Sequence, residues 1–302
     1  MVKLEAGAKR IGYASATLCA VLVGSISTAS KPVLVNTNPV MYGALVYLLA
    51  AVSSLPLSYK VRGLQVKRSD WPFILAITVS GSILAPSLFF AGLQHTTASD
   101  TAILSNSETI FTVLFALVFF KEKLKARGYL ATILVLTGVF IVTTNLQFSN
   151  FLSDLKKEGN VLIIVSMALW ALDNNISKMA SQRIDISRLV QLKGLLGGMT
   201  LLIFGLSVRI PIGITPAEIP NLLLVGLVGF GIALYLFLHS LKRIGTVKTM
   251  LIYSTGTVFG LLFAALFLHE KVGSYQIIAI ILMLTGIYLV TKEGRTIEKI
   301  QG

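Results

Sequence analysis

Residues 115–123 read Phe115-Ala-Leu-Val-Phe-Phe-Lys-Glu122-Lys, and 148 residues later the chain reads Phe263-Ala-Ala-Leu-Phe-Leu-His-Glu270-Lys. The likeness extends in both directions. At this offset residues 101–143 meet 249–291 with 17 identities in 43 positions, among them Thr109/Thr257, Phe111/Phe259 and Leu136-Thr137-Gly138/Leu284-Thr285-Gly286. Shared apolar composition raises such a score, but it does not account for the charged pairs Glu122-Lys123 and Glu270-Lys271. A weaker match at an offset of 147 joins Gly12/Gly159, Leu22/Leu169, Ser30/Ser177 and Lys31/Lys178. The chain therefore reads as two related halves, 1–147 and 148–302.

Each half is mostly apolar. Of 302 residues, 55% are hydrophobic and only 13% are charged, with a mean hydropathy of +0.82. Ordinary soluble domains carry about 25% charged residues, so this composition excludes a soluble or a disordered chain. Runs of about 20 apolar residues are long enough to cross a bilayer as helices. Ten such runs occur, at roughly 11–30, 39–59, 71–93, 101–120, 127–145, 159–179, 187–208, 220–240, 247–268 and 274–291. None alternates with the period of two that an outer-membrane barrel requires. The fold class that follows is an all-α integral membrane protein of ten spans. The first run is read as a span and not as a cleaved signal peptide, because its removal would destroy the repeat.

Charge orients the spans. The net charge is +13, and the basic residues sit in the short gaps between apolar runs. The N-terminus and every second gap after it hold 20 Lys and Arg, the remaining gaps hold 5, and Lys193 lies inside a span. Basic residues accumulate on the cytoplasmic side, so both termini are expected there, in a cytoplasmic membrane. Five spans per half is an odd number, so the second half enters the membrane from the opposite side. Inverted repeats of this kind characterise many secondary transporters, whose substrate site lies near the midplane between the halves.

The ten spans, the five-plus-five repeat and the segments ending in Glu122-Lys and Glu270-Lys, each followed by a span carrying Leu-Thr-Gly, resemble the EamA type of the drug/metabolite transporter superfamily. Leu169-Trp170-Ala171 and Asn174-Asn175 resemble that family too, and the resemblance covers nearly the whole chain. It implies a central cavity and export or exchange of small metabolites, often amino acids. Relatives carry drugs, sugars, nucleotide sugars or sugar phosphates.

Ionisable groups inside a membrane are costly and mark function by default. Glu108 lies in the polar stretch Ser105-Asn106-Ser107-Glu108-Thr109, and its repeat partner is Gly256. It is a candidate for proton coupling or for a substrate amine, against the alternative of a helix contact. Asp173 and Lys193 fall at matching depths on successive spans, where they form either a structural ion pair or a pair of contacts to a zwitterion. Trp170 and Tyr253 are candidates for an aromatic wall, and Asn174, Asn106 and Ser27 for hydrogen bonds to substrate, each against a packing role. Glu122 and Glu270 read as anchors or gate contacts, and Pro86 as a kink in the third span.

No cofactor is expected. The single Cys19 and the scattered His95, His239 and His269 offer no metal-ligand spacing, which also counts against a membrane-embedded enzyme. The expected partners are a small-molecule substrate, protons or an exchange substrate, and the lipid bilayer, not nucleic acid. The chain is expected to act as a monomer or a homodimer. The close rival to an amino-acid carrier is a sugar-phosphate, nucleotide-sugar or drug carrier, and a phosphate carrier would want several cations in its cavity.

The charge count makes a direct prediction. A fluorescent reporter that folds only in the cytoplasm should light up when fused after Gly302 and stay dark when fused after Arg209. The reverse pattern would overturn the orientation.

Overall fold

The computed structural model describes residues 2–58, 66–119, 126–144 and 158–269, together with parts of 277–289. Every regular element among them is helical. The spans are α1 (Val2–Val33), α2 (Pro39–Ser53, with a short turn at Leu55–Ser58), α3 (Arg68–Gln94) and α4 (Ala98–Leu104 and Asn106–Val118). They continue with α5 (Ala126–Thr144), α6 (Glu158–Ser181), α7 (Ile186–Ser207), α8 (Pro216–Ile244) and α9 (Thr246–Tyr253 and Gly256–Phe267). Short helical pieces of α10 lie within 277–289. Six of the helices are long and apolar enough to cross a membrane, and shorter apolar helices accompany them.

Local sequence explains the helix ends. Asn38 caps α2 by accepting from the Val40 amide at 2.9 Å, with Pro39 in the first turn where its missing N–H costs nothing. Asp185 caps α7 by accepting from the Ser187 amide at 2.8 Å. At the far end of α3, Lys31 donates to the carbonyls of Leu93, Gln94 and Thr96, which closes the last turn with a cation.

The two halves interleave. α1 packs on α8 and α9 of the other half, and α6 packs on α3 and α4 in the same way. The second helices of each half, α2 and α7, lie against one another. This exchange is what an inverted repeat produces when each half presents the same face to its partner. Between helices in lipid, association rests on close packing, so small residues mark the seams. A Cβ on Gly92 would stand 2.6 Å from the Gly159 carbonyl oxygen, and one on Gly159 would stand 2.9 Å from the Gly92 carbonyl oxygen. Gly194 and Gly198 bring α7 onto the backbone of α2, and Gly24 brings α1 onto Gly256 and Gly260 of α9. Gly226, Gly229 and Gly231 do the same for α8 against Leu49, Ile26 and Ser53.

Both third spans depart from the α-helix at equivalent places. α3 widens to a π-helix over Val79–Leu84, and α8 does so over Leu224–Ile232. Ala85 and then Pro86 follow the first of these. Where the sequence places a kink, the helix changes its hydrogen-bond register. α8 has Ala233 after its widened turn and no proline, so proline alone does not cause the feature.

Apolar side chains form two clusters. One, with Ile77, Leu189, Leu238 and Met250, sits toward the face that carries the α6–α7 turn. The other, with Tyr42, Phe90, Leu93 and Ile163, sits toward the opposite face. The lipid-facing belt is apolar too, with Ile203, Phe204, Leu262 and Leu266 exposed.

The seam geometry predicts an asymmetry between glycines. Gly92→Ala should destabilise the fold by about 1–3 kcal/mol through overpacking and lower the melting temperature in detergent. Gly7→Ala meets nothing within 4 Å and should leave it unchanged or raise it. Equal melting temperatures for the two variants would contradict the packing described.

Candidate functional site

Between the two apolar clusters lies a cavity of about 930 Å³, including its open mouth, lined by α1–α4 and α6–α9. Glu108, Asp173, Lys193, Trp170, Asn174, Tyr253, Asn106 and Ser27 all line it. These are residues that the sequence singles out from five different spans, and the fold brings them to one place.

Asp173 and Lys193, placed at matching depth by the sequence, form a buried ion pair. Lys193 Nζ donates to Asp173 Oδ2 at 2.5 Å, and Ser177 Oγ donates to Asp173 Oδ1 at 3.1 Å. Only 1% of Lys193 and 2% of Asp173 is exposed. Gly81 of α3 makes room for the pair, because a Cβ there would strike the Asp173 carboxylate. The opposite charges satisfy one another, and removing either would strand the other in a low-dielectric interior.

Glu108 is engaged from α6, where Asn174 Nδ2 donates to its Oε1 at 2.6 Å. Neighbouring Asn175 instead turns to α4, where its Nδ2 donates to the Thr112 carbonyl at 3.2 Å. Asn106 Oδ1 accepts from Thr257 Oγ1 at 2.6 Å, which ties the break in α4 to the break in α9.

The aromatic wall forms around Trp170 but without Tyr253. The Trp170 ring lies 5.2 Å from Phe89 and 6.1 Å from Phe230, and Tyr47 packs 5.3 Å from Phe230. Tyr253 packs 5.1 Å from Phe237 on the Glu108 side. Tyr47, Phe89, Phe230 and Phe237 do not stand out in the sequence, because each is one aromatic among many in an apolar run. Thr109 and Thr257 carry a readable signal, their identity across the repeat. Glu122 and Glu270 lie outside the described residues.

Pro86 acts on this wall through the backbone. In the π-helical turn the Ala85 amide bonds to the Ser80 carbonyl, five residues back. The next bond of that register would run from residue 86 to the Gly81 carbonyl, and proline has no N–H to make it. The Gly81 oxygen instead accepts from Tyr47 Oη at 2.6 Å and from Trp170 Nε1 at 2.8 Å. A wide turn followed by proline thus releases a carbonyl in the middle of the membrane, and two aromatic donors satisfy it.

Pro86→Ala supplies the missing N–H and lets the backbone reclaim that carbonyl. In a Trp71→Phe background, where Trp170 is the only tryptophan, its emission should shift as the indole loses its acceptor. An unchanged spectrum would show that the proline does not hold the ring.

The profile of the EamA-like transporter family matches the chain twice, over residues 10–144 and 157–292. An uncharacterized transporter of Methanothermobacter thermautotrophicus is 28% identical over 298 residues, which cover 94% of this chain and 87% of the relative. Another, of Archaeoglobus fulgidus, is 25% identical over 248 residues, 81% of this chain and 85% of the relative. A solved crystal structure shares the fold with a TM-score of 0.72 at 16% identity, over 97% of this chain and 99% of that chain. With both halves matched in turn, the chain belongs to the EamA-like transporter family of the drug/metabolite transporter superfamily, a family of multi-pass membrane proteins.

Proposed function

We propose that this protein is a secondary transporter that exports amino acids or related amphipathic metabolites across the cytoplasmic membrane by alternating access, with both termini cytoplasmic. The observation that carries the reading is the cavity between the interleaved halves. It combines an acid, an ion pair and an aromatic wall at mid-membrane depth. A substrate with a polar head and an apolar or aromatic body is complementary to such a lining. The inverted repeat supports alternating access, because exchanging the conformations of two like halves moves the opening from one side to the other.

Glu108 is the coupling group in this reading. It is a carboxyl inside the membrane, held by a neutral amide, with no cation at hydrogen-bond distance among the described residues. Asp173 is committed to Lys193, which suits it to hold substrate or to close a gate.

A carrier of phosphorylated compounds fits less well. Lys193 is the single Lys or Arg among the described residues of the cavity lining, and it is already paired. Phosphate recognition calls for several free cations.

Two outcomes follow in proteoliposomes loaded with an amino-acid mixture. Glu108→Gln should abolish transport driven by a pH gradient and spare exchange at constant pH. Unchanged pH-driven transport in that variant removes the coupling role. Lys193→Ala strands Asp173 and should cost about 3–5 kcal/mol of stability, which the double variant Asp173→Asn/Lys193→Met largely restores. If the pair contacts substrate, the restored protein remains inactive in counterflow. Recovery of transport would make the pair a structural strut.

A further inference from the structure

The fourth spans of the two halves, α4 and α9, are each interrupted in mid-membrane, at Ser105 and at Ser254–Thr255. The second part of each, Asn106–Val118 and Gly256–Phe267, starts at the cavity wall. The two breaks face one another and are joined by the bond from Thr257 to Asn106.

The hydroxyls at the breaks all turn the same way. Ser105 Oγ donates to the Thr101 carbonyl at 2.7 Å and Ser107 Oγ to the Leu104 carbonyl at 2.6 Å. In α9, Ser254 Oγ donates to the Leu251 carbonyl at 2.8 Å and Thr255 Oγ1 to Ile252 at 2.6 Å. They therefore cover the carbonyl ends of the first half-helices. The second half-helices gain no side-chain cap from Ser105 or Thr255; the Glu108 amide bonds to the Ser105 carbonyl at 3.1 Å and the Val258 amide to the Thr255 carbonyl at 2.9 Å, which leaves the first amide of each half-helix toward the cavity wall. An uncapped helix start presents N–H donors and the positive end of the helix dipole.

A second, independent observation points to the same ligand. Asn106 is 2% exposed and lines the cavity. Its Oδ1 is engaged by Thr257, which fixes the amide plane, and its Nδ2 has no partner among the described residues. The hydroxyl of Thr109, 1% exposed and one turn further on, has none either. A buried amide nitrogen can only donate, so what it lacks is an acceptor.

The cavity's ammonium does not fill this role, because Lys193 is bonded to Asp173. The charged and titratable groups around the breaks are Glu108, Asp173, Lys193, Tyr253 and Cys19. Glu108 lies two residues from Asn106 on the same helical turn, so an anion placed here is best accompanied by its own cation.

We propose that the starts of the second half-helices of α4 and α9, with the Asn106 amide and the Thr109 hydroxyl, form a carboxylate subsite, and that the ligand's ammonium group lies toward Glu108. The subsite takes the charged end of an α-amino acid while the Trp170 wall takes its side chain. This deepens the transport reading and rests on it for the substrate class.

The test uses full-length protein in nanodiscs and three probes of the same size: L-phenylalanine, 3-phenylpropanoate, which lacks the amine, and phenethylamine, which lacks the carboxylate. Wild-type protein should bind both acids. Asn106→Leu should weaken both at least tenfold and change phenethylamine binding by less than threefold. Thr109→Val, which keeps the side-chain shape, should act in the same direction with a smaller effect, and covers the case in which Asn106→Leu does not fold. Wild-type protein that binds neither acid overturns the proposal, and so do variants that lose all three probes alike. Counterflow of the same probes in proteoliposomes separates the two readings. Acids that bind as described but are not carried leave the subsite in place and remove amino-acid transport.

Discussion

A bilayer offers no water to a polar group, so each carbonyl, amide, acid or amine within the spans must be satisfied by the protein. In this bundle the groups that leave the regular helical ladder converge. The carbonyl released by Pro86, the buried pair of Asp173 and Lys193, the acid of Glu108 and the two interrupted helices all meet at one cavity. Gly81 shows how tightly these demands are linked. Its missing side chain admits the Asp173 carboxylate, and its carbonyl holds Tyr47 and Trp170. A side chain at this position would disturb the ion pair and the aromatic wall together.

The inverted repeat explains why the special features come in pairs. α3 and α8 both widen to π-helices, α4 and α9 both break in mid-span, and α1 and α6 each cross onto the third and fourth helices of the other half. Function enters where the pairing fails. Glu108 stands opposite Gly256, and Pro86 has no counterpart after the widened turn of α8. The shared scaffold supplies two similar arms, and the unmatched residues give the cavity its chemistry. Neither half contains the site on its own, since lining residues come from both.

Much of this is legible in the sequence because lipid makes the signals strong. A charge inside an apolar run is conspicuous, so Glu108, Asp173 and Lys193 can be picked out, and chain length alone sets two of them at one depth. The repeat is readable because charged pairs recur at a fixed offset. Tyr47, Phe89 and Phe230 are not readable, since an aromatic in an apolar run looks the same whether it faces lipid or a cavity. The partnership of Trp170 with Gly81 depends on a π-helical register, which changes no residue type and leaves only Pro86 as a trace. For the same reason Tyr253, similar in depth to Trp170, packs on Phe237 and not in the wall. Depth follows from counting residues, whereas the face of a helix that meets the cavity is decided by packing.

The central claim is that the cavity is a site reached in turn from both sides of the membrane. Cys19, the chain's single cysteine, lines that cavity and is a native reporter of access. The decisive measurement is its rate of modification by a membrane-impermeant thiol reagent, applied separately to each face of sealed, oriented vesicles. The account predicts reaction from either face, slowed from both by a bound substrate. Reaction from one face alone under every condition would contradict it.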